Sequence, residues 1–202
     1  INGGRAERIW DFPKTVIMSP YAAISNIFGR PEGFHATPSA GYRYLHHNEF
    51  ESASSYQAGL VAGFAQTDLN INYARGVNYP SPIVIMNMVL TSAPVANAGE
   101  YWKKIKPETV DHYEVGLTHT WTQKASVSVT AFYDEGKDRF LAYMYGGIPV
   151  SFNDSIGKYE IRGLEFTGTF LSFKTFECFA GATLMDARAT GSARKAGPSS
   201  AA

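Results

Sequence analysis

Cysteine is nearly missing from this chain. Cys178 stands alone among 202 residues, so neither an intramolecular disulfide nor a cysteine-rich metal cluster is possible. Long apolar runs are missing too. The longest apolar-leaning stretch, 83–90, is interrupted by Asn87. It falls far short of the roughly 18 residues a transmembrane helix needs. Charge of one sign is not in excess: 18 Lys+Arg balance 18 Asp+Glu. A nucleic-acid binder needs a basic surplus to displace counterions, and a polybasic membrane-surface module needs one as well. The first residues, Ile-Asn-Gly-Gly-Arg, show no start Met, basic n-region or apolar h-region. They do not read as a signal peptide, and the expectation is the interior of a longer protein. Enzyme signatures are also lacking: G-x-S-x-G, H-E-x-x-H, the P-loop and G-x-G-x-x-G do not occur. The reading is therefore not an enzyme, with no catalytic residue, no cofactor and no metal site.

Aromatic residues and strict alternation are plentiful. Twelve Tyr, 13 Phe and 3 Trp make up 14% of the chain. Tyr at nearly the frequency of Phe suits half-wet apolar surfaces. Segments 34–45, 55–64, 69–79, 110–121, 126–134 and 159–170 swap apolar and polar residues one by one, the period of a strand with two unlike faces. The clearest is 110–121. There Tyr113, Val115, Leu117, His119 and Trp121 share one face, and His112, Glu114, Gly116, Thr118 and Thr120 share the other. Residues 15–28 read as a strand with Pro20 as a bulge or edge, and 175–187 as a strand of less regular pattern. The polar face is rich in Gly, Ser, Thr, Asn and Gln rather than Lys and Glu, which suits a crowded or water-filled lumen. Tyr113 and Trp121 sit at opposite ends of one strand, where two aromatic girdles require them. Arg75 breaks an apolar face near one end and is expected to snorkel to a rim.

Connections alternate in length. Short turns are expected at 65–68, 122–125 and 171–174, and long loops at 46–54, 80–108 and 135–158. Membrane barrels place short turns on one side and long loops on the other, and a strand of about 9–11 residues is enough to cross. The residues thus predict an all-β, antiparallel transmembrane β-barrel segment over 1–189, with a low-complexity, disordered tail over 190–202. A soluble antiparallel β-sandwich is the competing fold, because its strands also alternate.

Five motifs carry a family resemblance. Lys106-Pro107-Glu108 followed by Tyr113-Glu114-Val115-Gly116 resembles the "K-P-E … Y-E-x-G" strand of TonB-dependent outer-membrane receptors. Val129-Thr130-Ala131-Phe132-Tyr133 with Asp138 is similar to the next strand, and Ile161-Arg162-Gly163-Leu164-Glu165 to the "G-v-E" strand. Ser39-Ala40-Gly41-Tyr42-Arg43-Tyr44 and Asn72-Tyr73-Ala74-Arg75-Gly76 resemble two strands upstream. The resemblance covers about residues 15–190. It implies about eight strands of a larger, 22-stranded barrel in the outer membrane of a Gram-negative bacterium. It also implies a plug domain and a TonB box, neither seen in this chain, and a C-terminal strand ending in an aromatic residue, also not seen. The expectation is a fragment of the C-terminal half of the barrel that does not fold alone in water. The implied partners are outer-membrane lipid, the TonB energy-transducing complex acting through the plug, and an iron chelate or other small-molecule substrate. The implied function is active uptake of a scarce substrate, a ferric siderophore first among them. A passive porin or structural barrel is the alternative within the membrane class.

Candidate ligand contacts fall in the outer loops and the lumen. His46 and His47 open a loop beside Asn48 and Glu49; they read as a metal-capture pair or, in the plainer reading, as solvated loop histidines. Tyr101, Trp102 and Lys103 lie in the longest loop, where aromatics beside cations suit an anionic, ring-bearing ligand or pack the loop onto the wall. His112 and Glu114 face the lumen two residues apart, as a pore-lining pair or as a contact to the plug or a neighbouring strand. Glu114, Glu165 and Arg43 are expected in lumenal charge ladders, with Arg162 nearby but on the outward phase.

Overall fold

The computed structural model describes residues 14–30, 32–85, 105–122, 125–145, 148–173 and 176–190. They form one antiparallel sheet of ten strands. The strands are β1 (Ile17–Met18), β2 (Tyr21–Ser25), β3 (Phe28–Gly29), β4 (Phe34–His47), β5 (Ala53–Phe64), β6 (Thr67–Asn78), β7 (Glu108–Thr122), β8 (Ala125–Tyr145), β9 (Ile148–Phe173) and β10 (Phe176–Thr190). The first three are pieces of one crossing, broken at Ser19-Pro20 and Asn26-Ile27, and each pairs with β4. Proline has no N–H to give a ladder, which accounts for the first break. From β4 to β10 every strand pairs with the next in sequence. The chain therefore makes eight crossings, the number expected. Among the described residues the sheet does not close on itself: β1, β2 and β3 lie at one edge and β10 at the other.

Register lines up the levels of the wall. Phe34 pairs with Phe64 and Tyr42 with Tyr56, while Tyr73 pairs with Tyr113 and Tyr113 with Tyr133. Ring centroids lie 5.8 Å apart for Tyr56–Tyr73, 4.9 Å for Tyr73–Tyr113 and 6.1 Å for Tyr113–Tyr133. These tyrosines form one belt from β4 to β8. At the opposite rim, Phe28, Phe34, Phe64, Trp121, Phe170 and Phe176 are all exposed. His119 sits on this apolar phase, where its Nδ1 meets Thr67 Oγ1 at 2.8 Å and its ring meets Trp121 edge-on at 4.8 Å. Eight residues separate the two belts on β4, β5 and β7. At a strand's rise this is roughly 27 Å of chain, enough for a tilted strand to cross a hydrocarbon layer.

The apolar phase faces away from the other described residues. Tyr113, Val115, Leu117 and Trp121 are 47%, 49%, 52% and 54% exposed. The polar phase is the more covered one: Gly116 is buried, and His112, Glu114 and Thr118 are half-buried. The inside of a curved sheet is crowded in this way, and among the described residues no second layer covers the apolar side. Only four hydrophobic side chains are buried among the described residues: Phe50, Ile85, Ile105 and Tyr159. A soluble sandwich has the opposite distribution.

Two loop expectations are corrected. His46 and His47 do not open a loop; they end β4, paired with Met18 and Ile17 of β1. Residues 135–158 are not a long loop. β8 and β9 continue through them, pairing as far as Tyr145 and Ile148. The other two long connections, 48–52 and 79–107, leave from the same rim as this extended hairpin, whereas the two-residue turn Ala65-Gln66 lies at the opposite one. Of the tail expected over 190–202, Thr190 ends β10 and 191–202 lie outside the described residues.

Candidate functional site

The lumenal face is built by period-two strands that bring side chains from neighbouring ribbons into rows. His112 on β7 lies at the centre. Its Nδ1 meets Asp134 Oδ1 of β8 at 2.5 Å, and its Nε2 meets Glu114 Oε2 at 3.5 Å. Glu114 Oε1 accepts from the Nδ2 amides of Asn70 and Asn72 on β6 at 3.1 and 3.3 Å. His112 and Glu114 thus meet each other and also reach the neighbouring strands, in a network joining three strands. Asp134 and the two asparagines were not singled out from sequence, although their alternation phase places them on this face.

Towards the turn rim, His35 Nε2 on β4 meets Asp68 Oδ1 on β6 at 2.9 Å, across the intervening strand β5. Gly63 makes this bridge possible, since a Cβ there would occupy the space of both side chains. Towards the loop rim, Glu108 accepts from Tyr159 Oη at 3.0 Å and from Asn78 Nδ2 at 3.3 Å. Tyr21, Gly41, Arg43 and Gln57 of the lumenal phase, together with Tyr42 and Arg75 of the outward phase, are among the residues lining a groove of about 300 Å³. Its Arg43 guanidinium lies 5.5 Å over the Tyr21 ring.

The two faces treat carboxylates differently. On the outward phase each is matched by a full cation. Asp111 takes a bidentate contact from Arg75, 2.7 Å for both bonds. Glu135 meets Lys137 and Lys158 at 3.1 Å each. Asp186 meets Arg162 and Arg188 at 3.2 and 3.0 Å. Arg162 therefore belongs to the outer face and not to a lumenal ladder. On the lumenal phase, Asp68, Glu108, Glu114 and Asp134 are met by histidine, tyrosine and amides. Among the described residues no group of three or more His, Cys, Asp or Glu side chains is placed to hold a metal ion.

At the loop rim His46 and His47 part company. Neighbours on a strand point to opposite faces. His46 is exposed, with Nδ1 3.0 Å from Ser52 Oγ. His47 is 3% exposed, and its ring packs 4.7 Å from Phe50 and 4.8 Å from Tyr79. Tyr101, Trp102 and Lys103 lie outside the described residues.

An antiparallel ribbon with a bare aromatic-edged apolar belt on one side and a polar, interlocked wall on the other defines a class: the wall of a membrane-spanning β-barrel. The particular family follows from sequence. Residues 10–199 match the model of the TonB dependent receptor-like, beta-barrel family, and the chain belongs to it. Among curated proteins none matches it by sequence. Solved structures share its fold. The siderophore receptor PirA from Pseudomonas aeruginosa has 18% identity and a TM-score of 0.64, over 87% of this chain and 32% of that one. The FrpB iron transporter from Neisseria meningitidis (F5-1 variant, apoprotein) has 12% identity and a TM-score of 0.55, over 87% and 26%. The copper transporter OprC has 13% identity and a TM-score of 0.59, over 88% and 31%. The chain spans about a third or less of each of these structures.

Proposed function

We propose that this chain is part of the barrel wall of a TonB-dependent active transporter in the outer membrane of a Gram-negative bacterium. The observation that carries the reading is the pair of opposed faces, edged by aromatic belts and joined to the family match. The apolar belt meets lipid. The polar wall encloses a plug domain, and the loop rim faces outward, where scarce substrate is captured. The outer membrane has no ATP, so the energy arrives through TonB pulling on the plug. Lumenal carboxylates matched only by neutral or titratable groups favour a lumen occupant that brings its own cations. Glu114 and Glu165 on the wall are the places we assign to it, with His112 held beside Glu114. His46 at the rim, together with Tyr101, Trp102 and Lys103, is our assignment for contact with the incoming ligand. The substrate class we favour is a ferric siderophore. The neighbours' names include iron and copper transport, so a metal chelate is the broader form of the same reading.

Uptake by the full-length receptor tests this. Cells expressing it are expected to accumulate radiolabelled iron supplied as siderophore, and to stop when TonB is deleted or the proton-motive force is collapsed. Uptake that persists without TonB would make the protein a passive channel.

A further inference from the structure

The loop rim holds a small core of its own. Phe50, from the 48–52 connection, is buried against Ile85 and Ile105, which lie towards the two ends of the far longer connection between β6 and β7, and Tyr79 packs on the same cluster. Tyr79 Oη also donates to the Glu51 carbonyl at 2.9 Å. Two separate outer connections are thus joined at their bases. His47 sits against this joint and closes it. The backbone N–H groups of Glu49 and Phe50 both donate to its Nδ1, at 3.1 and 3.3 Å. An imidazole nitrogen accepts only while it carries no proton. The geometry therefore demands a neutral ring protonated at Nε2.

We propose that His47 is an acid-sensitive bolt: neutral, it fastens the 48–52 connection to the base of the β6–β7 connection, and protonated, it lets them part. Any second proton must go to Nδ1, where it faces two N–H donors and cancels both bonds. The groups that bear on this ring are few. Glu49 favours the charged form and His46 opposes it, but burial is the largest influence and holds the His47 pKa below the ordinary 6.5. From the other connection comes Tyr79, whose hydroxyl burial keeps protonated. Ile17 of β1, the backbone partner of His47, carries no charge. Because the folded pKa is depressed, the fastening is complete above pH 6.5 and is lost as pH falls below it. The bolt lies five residues beyond the Tyr42 belt, on the watery side of the wall, where outside pH reaches it.

Hydrogen exchange on the full-length receptor in outer-membrane vesicles tests this without measuring transport, so its failure is separate from failure of the transport reading. After correction for intrinsic exchange rates, protection of the Glu49 and Phe50 amides is expected to fall by up to about tenfold per pH unit below 6.5, as one-proton linkage requires. His47→Asn keeps an acceptor where Nδ1 stood but does not titrate, and its protection is expected to stay flat. His47→Phe has no acceptor and is expected to be unprotected at every pH. Protection in the wild-type receptor that is unchanged between pH 7.5 and 5, or an equal fall in His47→Asn, overturns the proposal.

Discussion

Arg75 shows how one residue reconciles a charge with a lipid-facing position. It lies on the outward phase of β6, in register with Asp111 of β7. Both nitrogens of its fork are used, its guanidinium lies 5.1 Å over the Tyr56 ring, and Tyr73 Oη donates to the same carboxylate at 2.7 Å. Removing Asp111 leaves a cation and a hydroxyl unsatisfied at the edge of the membrane. Asp111→Ala is expected to destabilise the folded barrel by about 1–3 kcal/mol. The double substitution Arg75→Leu with Asp111→Leu is expected to cost less than Asp111→Ala alone, because the unpaired cation is gone and only the Tyr73 hydroxyl is left without its acceptor. Urea titration of the receptor in lipid vesicles measures both. A double variant less stable than the single one refutes the argument. Arg75 itself was legible as a break in the apolar alternation that had to reach a rim. Asp111 was not, because its partner Arg75 lies 36 residues away in sequence and only the register of the assembled sheet brings the two together.

At the scale of the strand, alternation carried most of the fold. The segments from 34 to 79 and from 110 to 134 emerged as strands where the two solvents impose unlike faces. The reading failed where that demand ends. Beyond the tyrosine belt two unlike solvents no longer dictate the faces, so β4 continues through His46 and His47, and β8 and β9 run on, without the one-by-one alternation that marks the crossings. Gly136 added to the error. It falls within the stretch expected as a long loop over 135–158, yet it lies within β8, where the Tyr159 ring occupies the place of its missing Cβ. The lumenal site was half legible for the same reason: period two showed that His112 and Glu114 share a face, but the register that brings Asp134, Asn70 and Asn72 to them is a property of the assembled sheet. Two adjacent positions on β7 test the faces directly. Leu117 lies midway between Tyr113 and Trp121 on the exposed apolar phase, and Thr118 is on the lumenal phase, donating to Ser128 Oγ at 3.0 Å. Leu117→Lys places an ammonium near the middle of the bilayer and is expected to cost about 2–4 kcal/mol. Thr118→Lys is expected to cost under about 1 kcal/mol, the lost hydroxyl contact. Vesicle unfolding curves giving equal costs, or the reverse order, would remove the membrane assignment of the faces.

For the whole molecule, the sheet's surroundings matter more than its interior. The described residues bury very little of their own apolar surface, and every described side chain of β10 from Phe176 to Ala189 is exposed. Its edge strands offer unpaired N–H and C=O groups, which invite other chains to pair. Hydrophobic stabilisation scales with the area removed from water, and here lipid and the rest of a barrel must supply that removal. The 202-residue chain alone in plain buffer is therefore expected to aggregate, with no monomer peak on size exclusion and no cooperative melting of its strand signal in circular dichroism. Detergent micelles cover the apolar belt but not the two edges. They are expected to restore strand content without restoring a single sharp transition, whereas the full-length barrel in the same detergent melts sharply. A soluble, cooperatively melting monomer of the chain would show that its apolar face is covered by the chain itself, and the bare outward belt from which the membrane reading is built would have to be abandoned.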